Sequence, residues 1–373
     1  MSDDIGIDHW IANRMTGIEA SGIRKVFELA RTLKDPINLS IGQPDFDVPE
    51  SIKKAACEAI EAGKNAYTVT QGIAELREVL LQEVHRDYPG QSRELIITSG
   101  TSGGLLLAIC CVVNPGDEVI LFDPYFVIYP NLVALAGGKS VLVDTYPDFA
   151  IDLDRVRAAI TPRTKAVILN SPSNPTGRVA TPEEVEGLAR LCEEKGILLI
   201  SDEIYRFFCH DQPFSSPVRH NRNVLVIDGF SKSHGMTGWR LGFAHGPRRL
   251  IEEMIKLQQF SFVCAPSMVQ HAGVVALQQD MTPQVSAYRH KRDLVYQGLK
   301  DHYEMVAPGG AFYLFPRAPR PTGMQFVEEA LKAGLLVIPG GVFSRRDTHF
   351  RISYAADERT LERGVEVLRR LAR

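Results

Sequence analysis

From about residue 50 onward the chain alternates strand-like runs with stretches long enough for a helix, and this rhythm constrains its fold more than any single residue does. Glu94–Thr98 (ELIIT), Glu118–Phe122, Lys165–Asn170, Ile197–Ser201 and Asn223–Ile227 read as short buried strands. A hairpin needs only a few linking residues, whereas parallel neighbours need a crossover of helical length. The spacing therefore predicts an α/β fold in three layers, with a mainly parallel central sheet. Capping chemistry marks two helix boundaries. Ser51–Ala62 is amphipathic, preceded by Pro49 and stopped by Gly63, and Thr181-Pro182-Glu183-Glu184 supplies a capping hydroxyl, a proline at the first helical position and a glutamate that returns a bond to the cap.

Beyond residue 280 the pattern changes. A helix is expected over Gln284–His302, then a Pro308-Gly309-Gly310 turn, strands near Phe312–Phe315, Leu335–Ile338 and His349–Tyr354, and a last helix from Asp357. These elements make a smaller α+β domain, and 373 residues suffice for it beside a larger one. The expected division is 46–280 for the large domain, with 281–373 and an N-terminal arm over 1–45 forming the small one. No internal repeat is found.

Composition removes several classes of function. Charge is nearly balanced at −3, so there is no basic footprint for nucleic acid, and a small-molecule partner is expected. The six cysteines show no CxxC spacing and fall mostly in apolar stretches, which predicts buried free thiols in a reducing cytoplasm rather than disulfides or a metal site. The start, MSDDIGIDHW, is acidic where a secretory signal is basic. Leu105–Val113, the longest strongly apolar run, ends at Asn114-Pro115-Gly116, well short of the ~20 residues that cross a bilayer, so no membrane span is expected.

In an open parallel sheet, ligands collect beyond the carboxyl ends of the strands. Four polar segments fall there: Ser99-Gly100-Thr101-Ser102-Gly103, Asn174-Pro175-Thr176-Gly177, Asp202-Glu203-Ile204-Tyr205 and Gly229-Phe230-Ser231-Lys232. Taken singly, each has a plain structural explanation: a turn, a cap, a surface lysine. No GxGxxG follows an early strand, which argues against a nicotinamide dehydrogenase.

Taken in order, these segments join Ile41-Gly42-Gln43-Pro44-Asp45, Tyr67-Thr68 with Gly72 and Leu76-Arg77, Met236-Thr237-Gly238-Trp239-Arg240-Leu241-Gly242 and Arg351-Ile352-Ser353-Tyr354-Ala355. Over essentially its whole length the chain resembles the class I/II aminotransferases of the fold-type-I pyridoxal 5'-phosphate enzymes, the aspartate aminotransferase superfamily.

The resemblance implies a role for each residue. Lys232 carries the Schiff base to the cofactor; a lysine desolvated beside other cations becomes a usable amine. Asp202 faces the pyridine nitrogen and keeps it protonated. Tyr205 and Asn174 bond the ring oxygen. Gly100, Thr101 and Ser102, at a helix start, and the fork of Arg240 hold the phosphate, with weak help from Ser231. Gly229 stands where many relatives have a serine, so no phosphate contact is transferred to it.

Phe126 stacks on the ring. Arg351, entering an apolar strand, takes the substrate α-carboxylate together with Asn174 and the backbone of Gly42. Tyr67 matches a tyrosine that reaches the phosphate of a neighbouring subunit, which implies a homodimer with shared active sites. His234 is read as structural. The implied reaction moves an amino group from an α-amino acid to a 2-oxo acid in a ping-pong cycle, without metal. A carbon–sulfur β-lyase on the same fold is the alternative; a non-catalytic ligand-sensing domain fits less well, because Lys232, Asp202 and Arg351 are all present. Phe126, Phe262 and Phe343 point to a neutral or aromatic substrate side chain.

Overall fold

The computed structural model describes residues 8–18 and 35–373. A short strand β1 (Ile37–Asn38) precedes the seven strands of the central sheet: β2 (Glu94–Ser99), β3 (Glu118–Asp123), β4 (Lys139–Asp144), β5 (Thr164–Asn170), β6 (Leu198–Asp202), β7 (Leu225–Gly229) and β8 (Leu241–Gly246). Their spatial order is β2-β8-β7-β6-β5-β3-β4. Pairs among β3, β4, β5, β6 and β7 are parallel, while β8 runs antiparallel to both β2 and β7. The sheet is thus mixed, though mostly parallel.

Two of its strands had no clear signal in the sequence. β4 is an edge strand that starts on an exposed lysine, and β8 (LGFAHG) carries two glycines, which weaken any strand pattern.

The reversal of β8 matters for the site. Its first residue, Leu241, pairs with Ser99 at the carboxyl end of β2, so Arg240 arrives at the same edge where the parallel strands finish.

Helices cover both faces. On one side Leu105, Ala108 and Ile109 of helix Gly100–Val112 pack with Ile96, Ile227 and Ala244 of the sheet. On the other, Val185, Leu188 and Leu191 of helix Pro182–Lys195 pack with Val167 and Leu199. Each such buried aliphatic side chain contributes about 1.5–3 kcal/mol.

The capping box at Thr181 is present: its hydroxyl accepts from the Glu184 N–H at 3.2 Å, and the Glu184 carboxylate accepts from the Thr181 N–H at 2.7 Å. The helix stops at Gly196 in the left-handed conformation (φ 64°).

The C-terminal part adds β9 (Tyr313–Leu314), β10 (Leu335–Leu336), β11 (Ile338–Pro339) and β12 (Phe350–Ser353), in a three-stranded antiparallel sheet β11-β12-β9 and a two-stranded parallel sheet β1-β10. The single strand expected over Leu335–Ile338 therefore divides, because the chain changes partner from β1 to β12 at Val337. Ile37 and Leu39 share one core with Leu314, Leu335 and Val365, and the Ser353 N–H reaches the Leu39 carbonyl at 2.8 Å. This places the IGQPD segment beside β12. Of the arm expected over 1–45, residues 1–7 and 19–34 lie outside the described residues.

The cysteines are unpaired, as expected, but their burial is not: Cys192 alone is buried, and Cys57 and Cys110 are exposed. Helix amphipathicity explains the error, since a thiol inside an apolar run still lands on whichever face the helix turns outward. No helix among the described residues is long and apolar enough to cross a membrane.

Candidate active site

Strand register assembles the site. Asn170 pairs with Asp202, Asp202 with Ile227, and Gly229 with Gly242, so the ends of β5, β6, β7 and the start of β8 meet around one cavity of about 260 Å³. Its walls contain Gly42, Thr101, Ser102, Phe126, Asn174, Asp202, Tyr205, Ser231, Lys232, Arg240 and Arg351. Gly100 lies directly against the Arg240 guanidinium, where a Cβ would stand 2.3 Å from Nη2. Tyr67 does not line the cavity of its own chain and is 84% exposed.

Lys232 donates from Nζ to the Gly42 carbonyl at 2.5 Å. It also lines the cavity. Burial, then the positive charges of Arg351 and Arg240, bring its pKa down to about 8 against the opposing pull of Asp202.

Asp202 is buried and accepts from the Tyr129 hydroxyl at 2.7 Å. Burial pushes it up to about 6, and the Tyr129 bond is the largest influence holding it down. The site thus contains an amine and an acid whose proton affinities have been drawn toward neutrality from opposite ends.

Arg240 adopts a left-handed conformation (φ 56°) as it enters β8, and Nη1 donates to the Thr237 carbonyl at 3.0 Å. It faces the first turn of helix Gly100–Val112, whose N-cap, Ser99, makes no side-chain capping bond. Unsatisfied N–H groups and a guanidinium therefore share one corner, which suits an anion. The position without a serine is explained here: a Cβ on Gly229 would stand 2.9 Å from Gly242 Cα and the Leu241 carbonyl oxygen.

Arg351 is the largest of the fully buried side chains. Nη1 donates to Asn174 Oδ1 at 2.9 Å and Nη2 to the Ser40 carbonyl at 2.8 Å, while Nε has no partner among the described residues. The guanidinium lies 4.6 Å from the Tyr313 ring centroid and 4.7 Å from that of Phe343. Aromatic faces favour a cation but do not neutralise it. Among the described residues, neither Lys232, Arg240 nor Arg351 has a carboxylate within ion-pair distance; Asp202, the one acid in the cavity wall, is bonded to Tyr129. A cavity whose wall holds three cations and one acid suits a ligand carrying negative charge.

Sequence reasoning missed Tyr129 and Tyr313. Tyr129 is the second residue of helix Ile128–Leu135, in an apolar run, and Tyr313 starts β9 between Phe312 and Phe315, so both resemble ordinary core aromatics. Tyr313 reaches the Tyr205 hydroxyl at 2.9 Å and would meet a Cβ on Gly42 at 2.8 Å. A phenol placed where the apolar pattern calls for phenylalanine is the one available signal. His234, as anticipated, is engaged structurally, with Ser233 Oγ at 2.8 Å and the Ala276 carbonyl at 3.0 Å.

Residues 34–368 match the family model for aminotransferases of class I and II. A probable aspartate aminotransferase of Methanocaldococcus jannaschii is 37% identical, covering 97% of this chain and 99% of that protein. An aspartate/prephenate aminotransferase of Thermus thermophilus is 40% identical over 92% of each. In structure, the chain is similar to an aspartate aminotransferase from Thermus thermophilus with maleate, with a TM-score of 0.92, 38% identity, and coverage of 97% of this chain and 99% of that one.

Proposed function

The chain belongs to the class I and II aminotransferase family, and from that premise we propose how its residues divide the work of a pyridoxal 5'-phosphate-dependent transamination between an α-amino acid and a 2-oxo acid. The residues present fit the cofactor, on one observation above all: three buried or half-buried cations with no carboxylate partner among the described residues, one of them with an orphaned Nε.

When bound, the cofactor supplies an aldehyde carbon for an amine and a ring that disperses charge from the substrate α-carbon. Arg240, with the N–H groups at Gly100, Thr101 and Ser102 and the Ser231 hydroxyl, holds the phosphate. Asp202 keeps a proton on the ring nitrogen, while Tyr205 and Asn174 serve the ring oxygen. Phe126 covers one ring face. Arg351 orients the substrate α-carboxylate, with Asn174 and the close backbone of Gly42 fixing its angle. Lys232, its amine already inclined to lose a proton, would hold the cofactor's aldehyde carbon and could take and return a proton at the substrate α-carbon.

We read the chain as a large domain over 46–280 and a small one from 281–373 with the arm. The pairing of β1 with β10 supports the arm's return. We also propose a homodimer with shared sites. Tyr67, Val69, Phe260, Phe262 and Val263 are exposed, and their segments are joined where Gln258 and Gln270 bond Thr70 and Thr68. Phe262 borders Gly103 on the phosphate helix. Val263 has φ 65°, a conformation a β-branched residue adopts only when its surroundings require it. We place the enzyme in the cytoplasm on its six unpaired thiols.

For the donor we propose a neutral, apolar or aromatic side chain. The cations of the described cavity wall, Lys232, Arg240 and Arg351, are each occupied by another task, which leaves none among the described residues of that wall for a second carboxylate. A screen of amino acids against 2-oxoglutarate and pyruvate tests the assignment: aromatic and aliphatic donors are expected to exceed aspartate in kcat/KM. The reverse order would refute the side-chain assignment, and pyruvate and ammonia released from cystathionine without an acceptor would make the chain a lyase.

A further inference from the structure

The acid that faces the cavity is not alone beneath it. Asp202, Glu203 and Asp228 are all buried, the first two adjacent in sequence and the third on the neighbouring strand β7. Asp202 faces the catalytic cavity, whereas Glu203 and Asp228 border a small space on the reverse side with Tyr88, Arg206 and His245. Asp202 pairs with Ile227, the residue before Asp228, so three buried carboxyls lie on adjoining strand ends, where like charges oppose ionising together.

Their partners are unequal. Asp202 accepts from Tyr129, and Glu203 from the Ser201 and Ser216 hydroxyls at 2.9 and 2.7 Å. Asp228 accepts from its neighbour Gly229 N–H and, at 2.6 Å, from Arg206 Nε. That last bond is the one ion pair made by the set among the described residues. Other charges face the cluster without satisfying it. Arg93 gives its hydrogens to His245, Gln91 and backbone carbonyls. Glu83, on helix Ala74–Asp87, adds a further negative charge near Asp228. Tyr88 and Tyr205 are neutral, and Lys232 is bonded to Gly42. Arg206 itself has its guanidinium carbon over the Phe207 ring, 4.3 Å from the centroid.

We propose that Arg206 is a positioning residue for the reaction: by neutralising Asp228 through a buried pair on the reverse face of the sheet, it allows the Asp202 carboxylate to stay ionised toward the cavity. This rests on the role given to Asp202 above. The electrostatic influences on Asp202 agree in sign, since Asp228 raises its proton affinity. Without the guanidinium the three carboxyls share protons as a coupled set, and the first proton is taken up at higher pH.

The test is the pH dependence of pyridoxal phosphate binding to the apoprotein, read by protein fluorescence, with thermal melts to confirm folding. Affinity is held above the acid limb set by Asp202 and lost below it. Arg206→Met is expected to move that limb upward by about one pH unit, Arg206→Lys to leave it in place, and Arg206→Met combined with Asp228→Asn to restore it. Asp228→Asn alone moves the limb downward, and it carries the test if the methionine variant does not fold. An unmoved limb in folded Arg206→Met, or a double variant that keeps the single variant's shift, overturns the proposal. A wild-type apoprotein that binds no pyridoxal phosphate at any pH would instead refute the reading of the site from which it starts.

Discussion

Two cavities flank the segment that carries Lys232, and the larger is not the one suited to catalysis. The catalytic cavity measures about 260 Å³ and the reverse one about 540 Å³. The reverse cavity is bounded by Asp228, Gly229, Phe230, Ser233 and His234 on one side and by the start of helix Thr282–Leu299 on the other. It too contains three cations, all arginines, but each has an acid: Arg86 with Asp87 at 3.0 Å, Arg206 with Asp228 at 2.6 Å, and Arg289 with Asp211 at 3.5 Å. Lys232, Arg240 and Arg351 have none among the described residues. Volume records how imperfectly two surfaces pack; charge left unpaired in an enclosed place records what a missing partner must be.

The comparison would be broken most directly at the amine. On the role proposed for Lys232, replacing it with Ala removes both the covalent link and the proton carrier, so transamination should fall by more than about 10⁴-fold while the fold is kept. Retained steady-state turnover, or a borohydride label mapping to a different lysine, would mean the smaller cavity is not the active one. Arg351→Ala comes next. Truncating one partner of an enclosed charge pair costs about 2–5 kcal/mol, so kcat/KM should drop by roughly 10²- to 10³-fold. The loss should fall mainly on KM, with cofactor loading intact; an unchanged KM would remove Arg351 from the substrate site.

Much of this cavity was legible before any coordinates, and for a definable reason. Asp202 ends, and Asn174 and Lys232 follow, strands whose apolar runs are unmistakable, and strand order in a parallel sheet gathers such residues at one edge. Where that logic does not apply, legibility fails. β8 reverses direction and is diluted by glycine, so Arg240 was assigned to the phosphate by resemblance and not by topology. Tyr129 and Tyr313 lie in apolar runs that burial alone explains, and their hydroxyls show a purpose only when Asp202 and Tyr205 are seen within 2.7 and 2.9 Å. Two arginines of the reverse cavity were silent for the opposite reason: Asp228 and Asp211, the partners of Arg206 and Arg289, are distant in sequence, so nothing local distinguishes a paired charge from a free one.

Tyr129 sharpens the contrast through pH. Its hydroxyl donates to the ionised form of Asp202 and so lowers a pKa that burial has raised to about 6. Removing the donor with Tyr129→Phe raises that pKa further, and the protonated acid then persists to higher pH. Cofactor affinity should be unchanged well above the limb and should fall by about tenfold near its midpoint, the scale of one bond to a charged group. Affinity reduced equally at every pH would show instead that Tyr129 acts by packing.

The smallest effect is expected on the reverse side. Arg289 contributes a cation to the larger cavity, yet it is mostly exposed, and its 3.5 Å pairing with Asp211 is shared with Arg292, which holds the same carboxylate at 2.6 Å. A solvent-screened pair of this kind contributes at most about 1 kcal/mol. Arg289→Ala should therefore shift the thermal midpoint only slightly and leave kcat and KM unaltered for every donor. A cation in one cavity would then be dispensable while Arg351, in the other, is not, although both belong to the same C-terminal part of the chain. Should Arg289→Ala depress kcat with the fold intact, the reverse cavity would be coupled to the chemistry by something other than the Arg206–Asp228 pair, and the separation drawn between the two would have to be abandoned.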